Sequence, residues 1–206
     1  MRIITISREF GSGGRELGKR LAGLLGYDYY DSEIISKLSD KSGMDKAYIE
    51  NALTNHGWEE IPITFRSTLG STGYIQASKV NLLVQQKTVI EEIAALGKDC
   101  VIVGRNADVL LAQYDPFNIF VCAEQDAKVR RCQERAPAGE NLTEKELIRK
   151  IRQIDKNRAQ TRTIIGGPAW GQRDAYHLTV NTTDWEIKEL VGAVADFANR
   201  WFGREK

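Results

Sequence analysis

Four short apolar runs punctuate the chain: IITIS at 3–7, CVIVG at 100–104, NIFVCA at 118–123 and YHLTVN at 176–181. YDYY at 27–30 is a weaker fifth. The apolar positions are continuous rather than strictly alternating, as in strands covered on both faces. Between these runs the period changes to that of helices. Leu17, Leu21, Leu24 and Leu25 form an i, i+4, i+7, i+8 stripe, and Gly26 is a C-terminal stop. A long amphipathic stretch runs from about Ala77 to Leu96 and ends at Gly97. Thr143 with Glu146, and Thr183 with Glu186, have capping-box spacing and predict helix starts. Strand–helix alternation of this kind predicts an α/β fold, a parallel sheet with helices on both sides and right-handed crossovers.

Two stretches are too long for a minimal strand–helix–strand unit. Residues 32–96 contain the irregular HGWEEIPITFRSTLGSTGY at 56–74, and the basic residues 135–173 run into GGPAWGQRD at 166–174, which reads as a mobile loop. Insertions at such places carry function more often than not.

Composition adds little until charge is resolved locally. A chain of 206 residues with 42% apolar and 28% charged residues is long enough for one domain with a sizeable core. Its net charge of +1 points to neither nucleic acid nor membrane. From Lys128 to Arg173, however, 12 Lys and Arg face 5 Asp and Glu, a balance of +7 that leaves −6 for the rest. A polyanionic ligand would find its countercharge there, although a solvated helix face has the same composition. Cys100, Cys122 and Cys132 lack metal-type spacing and read as free thiols in a reducing compartment. No charged leader opens the chain, and no segment approaches the roughly 20 apolar residues of a membrane span. A cytoplasmic protein is the expectation.

The candidate chemistry lies directly after the first strand, in SREFGSGGREL at 7–17. The standard phosphate loop is G-x-x-x-x-G-K-[ST]. A literal match exists at Gly13-x-x-x-x-Gly18-Lys19, but it would draw Leu17 of the apolar stripe into the loop. The physically sensible loop runs from about Arg8 to Gly14, with a helix from Gly14 or Arg15. Gly11, Gly13 and Gly14 are then free to take positive φ and turn successive N–H groups toward an anion, with the helix dipole behind them. Arg15 would supply the missing cation, with Lys19 one turn further as the reserve. Ser12 or Ser7 would replace the hydroxyl that usually meets Mg²⁺, and Glu9 would anchor the metal through water. A glycine-rich turn that binds nothing has the same local pattern.

Three segments together, SREFGSGGRELGKRLAGLLGYDYYD, VIVGRNADVLL and DKNRAQTR…WG…YHLTVNTT, resemble the cytidylate kinase-like branch of the P-loop nucleoside monophosphate kinases. The resemblance spans Ile3 to about Ala195. It implies a three-layer P-loop NTPase-type fold: about five parallel strands flanked by helices, an inserted monophosphate-binding subdomain and an arginine-rich lid. One domain, 1–206, would comprise a core (1–31, 97–134, 174–206), the insertion (32–96) and the lid (135–173). The resemblance implies ATP and Mg²⁺, with Gly11, Ser12, Gly13, Gly14 and Arg15 as the donor phosphate loop and Arg131 on the donor-nucleotide side. Asp31 would face the acceptor nucleoside and Arg105 would grip its phosphate. Asp155 and Arg158 would close over the moving phosphoryl group, with Arg162 on the same helix face. Phosphoryl transfer needs alignment and charge stabilisation more than covalent help, which suits arginine forks. Two departures stand out. Cytidylate kinases have Asp-Gly where this chain has Ser7 and Arg8, and the lysine with the following small or hydroxyl residue where it has Gly14, Arg15 and Glu16.

Each sharp reading has a plainer counterpart. Arg105 would simply open a helix, Asp31 would cap the helix beginning SEIISKL, and Asp155 would pair along its own helix with Arg158 or Arg152. His56 and His177 have no partner pattern. The expected function is therefore an ATP-dependent phosphotransferase acting on a nucleoside monophosphate or a similar small phosphorylated acceptor. A nucleotide sensor without turnover is the alternative from another class. A nucleic-acid surface is disfavoured because 128–165 lacks interleaved aromatics. The expected partners are small nucleotides, with neither nucleic acid nor membrane, and a homodimer is left open.

Overall fold

The computed structural model describes residues 1–31, 77–136 and 142–204. Five parallel strands form one sheet: β1 (Ile3–Arg8), β2 (Asp28–Asp31), β3 (Cys100–Val103), β4 (Phe117–Cys122) and β5 (Leu178–Asn181), in the order β2-β3-β1-β4-β5. In register, Ile4 lies opposite Val101 on one side and Phe117 on the other. The helices are α1 (Gly14–Leu25), α2 (Ala77–Ala95), α3 (Ala107–Leu110), α4 (Gln125–Glu134), α5 (Glu144–Ile164) and α6 (Ile187–Gly203).

The continuous apolar runs are explained by two buried faces. Ile4, Ile6, Val101, Val103, Ile119 and Val121 pack against α1 and α6, whereas Ile3, Cys100 and Ile102 pack with Tyr30 against α2 and α3. A third cluster, Val129 and Cys132 with Leu147 and Ile151, joins α4 to α5. The second half of the expected insertion is thus a layer of the core, since α2 buries Val89, Ile90, Ile93 and Ala94 on the sheet. Residues 32–76, including His56 and the SEIISKL segment, lie outside the described residues. Cys100, Cys122 and Cys132 are free thiols; burial pushes Cys100 up to about 12 and Cys132 up to about 11. Among the described residues, no helix is long and apolar enough to cross a membrane.

Two helix expectations need correction. In α1, Leu17 and Leu21 are fully buried but Leu24 is 60% exposed. The face turned to the sheet includes Gly14 and Gly18, both buried, and centring the helix on them carries Leu24 outward. The Thr183–Glu186 box does not form. Helix α6 starts at Ile187 with no side-chain cap, and the Thr183 hydroxyl instead donates to Asn181 Oδ1 and accepts from the Glu124 amide. The Thr143–Glu146 box does form, and it starts α5.

Gly18 also accounts for the literal phosphate-loop match. A Cβ there would stand 2.6 Å from Val103 Cγ2 and 3.1 Å from Ile6 Cδ1, so α1 lies tight against the sheet at this residue. Alanine inside a helix normally stabilises by about 1 kcal/mol relative to glycine. Gly18→Ala is expected to reverse that sign and cost about 1–3 kcal/mol through overpacking, read from the urea midpoint.

Candidate active site

The loop between β1 and α1 is shaped by close packing. Gly11 (φ +78) and Gly13 (φ +80) are left-handed, as expected. Gly14 is already helical and needs no positive φ; its lack of a side chain is a matter of space, because a Cβ would sit 2.6 Å from Arg8 Cβ and 3.2 Å from Val121 Cβ. A Cβ on Gly11 would lie 2.9 Å from the Lys128 carbonyl oxygen. The Ser12 hydroxyl donates to the Glu9 carbonyl (2.8 Å), and Thr182, at the end of β5, donates its hydroxyl to the Ser12 carbonyl (2.7 Å). The amide of Phe10 donates to Asp155 Oδ1 on α5 at 2.8 Å. The amides of Gly11, Gly13 and Gly14 donate to no described residue. Those unclaimed donors sit at the positive end of α1, the usual seat of an oxyanion.

The end of β3 supplies the facing wall. Gly104, Arg105 and Asn106 take φ of +84, +57 and +54 in succession. Left-handed backbone at a non-glycine residue costs on the order of 1–3 kcal/mol and persists where packing over-determines it. Burial lowers the Arg105 pKa, and the charge of Asp31 works against that shift. Arg15 Nε meets Asp31 Oδ2 at 2.6 Å, with the Tyr29 hydroxyl 3.4 Å from the same oxygen. The expected loop cation and the expected acceptor carboxylate are therefore an ion pair. Lys19 lies one turn along α1, half-buried.

Helix α5 brings Asp155 and Arg158 to the loop. Arg158 Nη1 donates to the Arg8 carbonyl (2.9 Å) and to Asp155 Oδ1 (3.1 Å). Burial raises the Asp155 pKa against the opposing effects of Arg158 and the Phe10 amide. Arg162 is turned elsewhere. It is 1% exposed, donates from Nε to the Pro168 carbonyl (2.6 Å), and has Nη1 2.7 Å from Asp108 Oδ2, close but not aligned as a hydrogen bond. It ties α5 to α3, the helix that follows Arg105. The GGPAWGQRD segment is packed as well, with Trp170 edge-on to Phe120 at 5.4 Å. Arg131 is buried and donates to the Thr182 hydroxyl, the Thr182 carbonyl and the Trp185 carbonyl, which fixes the turn after β5.

Sequence reasoning did not foresee the contacts that Thr182 and Arg8 make. A strand-end threonine carries no signal that its hydroxyl bridges two loops. Arg8 did carry one: a charge straight after a buried strand, where parallel sheets bind ligands. Its guanidinium crosses the face of Gly104, where any Cβ would collide with it. Burial and the charges of Arg158 and Arg105 pull its pKa down to about 9, with Tyr29 and Asp31 opposing. An arginine stays cationic at working pH, so the lowered value marks a charge placed unfavourably rather than one that is lost.

Mg²⁺ is implied by the fold family, and hard cations need free oxygen ligands. Ser12, an expected ligand, is fully buried with its hydroxyl on Glu9. Glu9 Oε2 accepts from Lys128 Nζ (2.9 Å) and from the Ala123 amide (3.2 Å). Asp31 and Asp155 are held by arginines. Among the described residues no cluster of His, Cys, Asp and Glu could hold a metal. The side chains of this loop do not fit a protein-ligated metal.

An all-parallel five-stranded sheet, with a glycine loop running from its central strand into a helix, defines a P-loop kinase-type fold. The chain belongs to the cytidylate kinase-like family, whose model matches residues 3–184. Among solved structures it is similar to an uncharacterized protein from Eubacterium ventriosum, with TM-score 0.71, 20% identity, and 97% of this chain and 99% of that one covered. It is also similar to the shikimate kinase from Bacteroides thetaiotaomicron (TM-score 0.54, 13% identity, 96% and 98% covered). The shikimate kinase from Acinetobacter baumannii, solved with shikimate, gives TM-score 0.53 and 14% identity over 99% and 96% of the chains. No curated protein matches the sequence.

Removing one partner of a buried ion pair strands the other. Asp108→Ala is expected to cost about 3–5 kcal/mol in chemical unfolding, well above the roughly 1 kcal/mol of an average substitution.

Proposed function

We propose that this protein is an ATP-dependent phosphotransferase that moves the γ-phosphoryl group to a nucleoside monophosphate or a similarly small phosphorylated acceptor. The observation that carries this reading is the set of unclaimed amides at Gly11, Gly13 and Gly14, beside Arg105 at the same end of the sheet. Family membership supports a kinase-type phosphotransferase. In this reading the loop amides bind the donor phosphates. Arg105, in its left-handed turn, holds the acceptor phosphate, and the Arg15–Asp31 pair positions the acceptor's other groups. Asp155 and Arg158 join α5 to the loop and keep water from the transfer path. The bond from the γ-phosphorus to its bridging oxygen breaks while a bond to an acceptor phosphate oxygen forms. The electron pair leaves on ADP, and no proton has to move.

The test is incubation of the purified protein with ATP, Mg²⁺ and a panel of phosphorylated acceptors, following ADP. Acceptor-dependent ADP is expected; none with any acceptor overturns the enzymatic reading. Arg105→Ala is expected to lower kcat/KM for the acceptor by about 10- to 100-fold, the loss of one charge-assisted phosphate contact. A nucleotide sensor without turnover is the second reading, favoured by Gly14 standing where the loop lysine belongs. It predicts that ATP raises the unfolding midpoint without being consumed.

A further inference from the structure

We propose that Arg8 is the phosphate cation of this loop, its guanidinium gripping the donor's γ-phosphoryl group in place of a lysine at position 14. The proposal rests on the phosphotransferase reading above and assigns a role within that site.

Three observations carry it. The first is steric. The standard loop places its lysine directly after the last glycine, a position this chain fills with Gly14. A side chain at Gly14 would run into Arg8, with Cβ 2.6 Å from Arg8 Cβ and 3.1 Å from Arg8 Cγ. The stem of Arg8 therefore occupies the room in which a lysine would start.

The second is reach. From that stem the side chain extends to Gly104, whose missing Cβ leaves room for Nη1. Gly104 directly precedes Arg105. Arg8 thus starts at the donor loop and ends at the acceptor wall, the interval a γ-phosphoryl group must cross.

The third is an absent partner. Among the described residues the Arg8 guanidinium donates no hydrogen bond and forms no ion pair, whereas Arg15, Arg131, Arg158 and Arg162 all do. An arginine has five N–H donors in a fork matched to phosphate oxygens. Arg8 is half-buried, and holding its charge beside those of Arg105 and Arg158 is unfavourable unless an anion joins it. Arg15, the cation expected from the sequence, is instead spent on Asp31.

The experiment compares the wild type with Arg8→Met and with the exchange variant Arg8→Gly/Gly14→Lys, using ATP and ADP titrations at fixed salt, thermal unfolding and turnover. Arg8→Met is expected to weaken ATP by about tenfold or more while ADP stays nearly unchanged, since only ATP carries the group that Arg8 holds. Its ligand-free unfolding midpoint is expected to rise, because an uncompensated charge has gone; a structural arginine would lower it. The exchange variant is expected to recover the preference for ATP over ADP and part of the turnover. If Arg8→Met binds both nucleotides as the wild type does, or loses both equally, the assignment is overturned while a wild type that forms ADP keeps the phosphotransferase reading intact. A wild type that binds no ATP overturns both.

Discussion

The site is organised around arginines brought together at one edge of the sheet, of which Arg158 is paired with Asp155 while Arg8 has no ion-pair partner among the described residues. Arg8, Arg105 and Arg158 converge at the C-terminal edge of the sheet, where burial and the charges of Arg158 and Arg105 lower the pKa of Arg8, and burial and the charge of Arg105 lower that of Arg158. The nearby carboxylates are engaged: Asp31 holds Arg15, and Asp155 is shared between Arg158 and the Phe10 amide. Like charges in partial burial repel at a cost set by low local dielectric. In the proposed reading, the donor phosphate brings the countercharge that Arg8 lacks among the described residues.

The rest of the fold holds that edge in place. Two-sided burial fixes the sheet, and β1 at its centre lies between β3 and β4, so the loop leaving β1 is flanked by both neighbouring strand ends. Glycines at 11, 13, 14 and 104 leave room for Lys128, Ile187 and Arg8. Thr182 connects the turn after β5 to the loop, and Arg131 holds that turn from α4. The left-handed run from Gly104 to Asn106 is strain that this packing sustains. Helix α5 is seated on the loop through Asp155 and Arg158, and Arg162 carries the same helix to α3.

Much of this was legible in the residues. The strands fall where the apolar runs lie, and the weak fifth run, YDYY, forms the edge strand β2 at Asp28–Asp31. Gly26 and Gly97 are left-handed, with φ of +69 and +74, just past the helices they were expected to stop. The position of the loop was legible too, because a glycine cluster between a buried strand and an apolar helix stripe has few other uses. The roles of its arginines were not. Arg15, Arg158 and Arg162 share helical spacing and charge, yet one meets Asp31, one reaches the Arg8 carbonyl, and one is buried on Asp108. Helical periodicity places residues on a face without saying what lies opposite.

By itself the sequence determined the strands, most helix limits, the two-sided burial of the sheet and the place of the phosphate loop, because these follow from local period and backbone preference. Tertiary structure alone decided that the stem of Arg8 fills the space beside Gly14. Arg8 and Gly14 are separated along the chain by the loop itself, and only the folded turn lays one across the other. It also decided that Leu24 turns to solvent, that Thr183 serves β5 and α4 instead of α6, and that Thr182 holds the loop. Each of these depends on a contact between segments far apart in sequence, and such contacts exist only once the sheet has brought its strand ends to one edge.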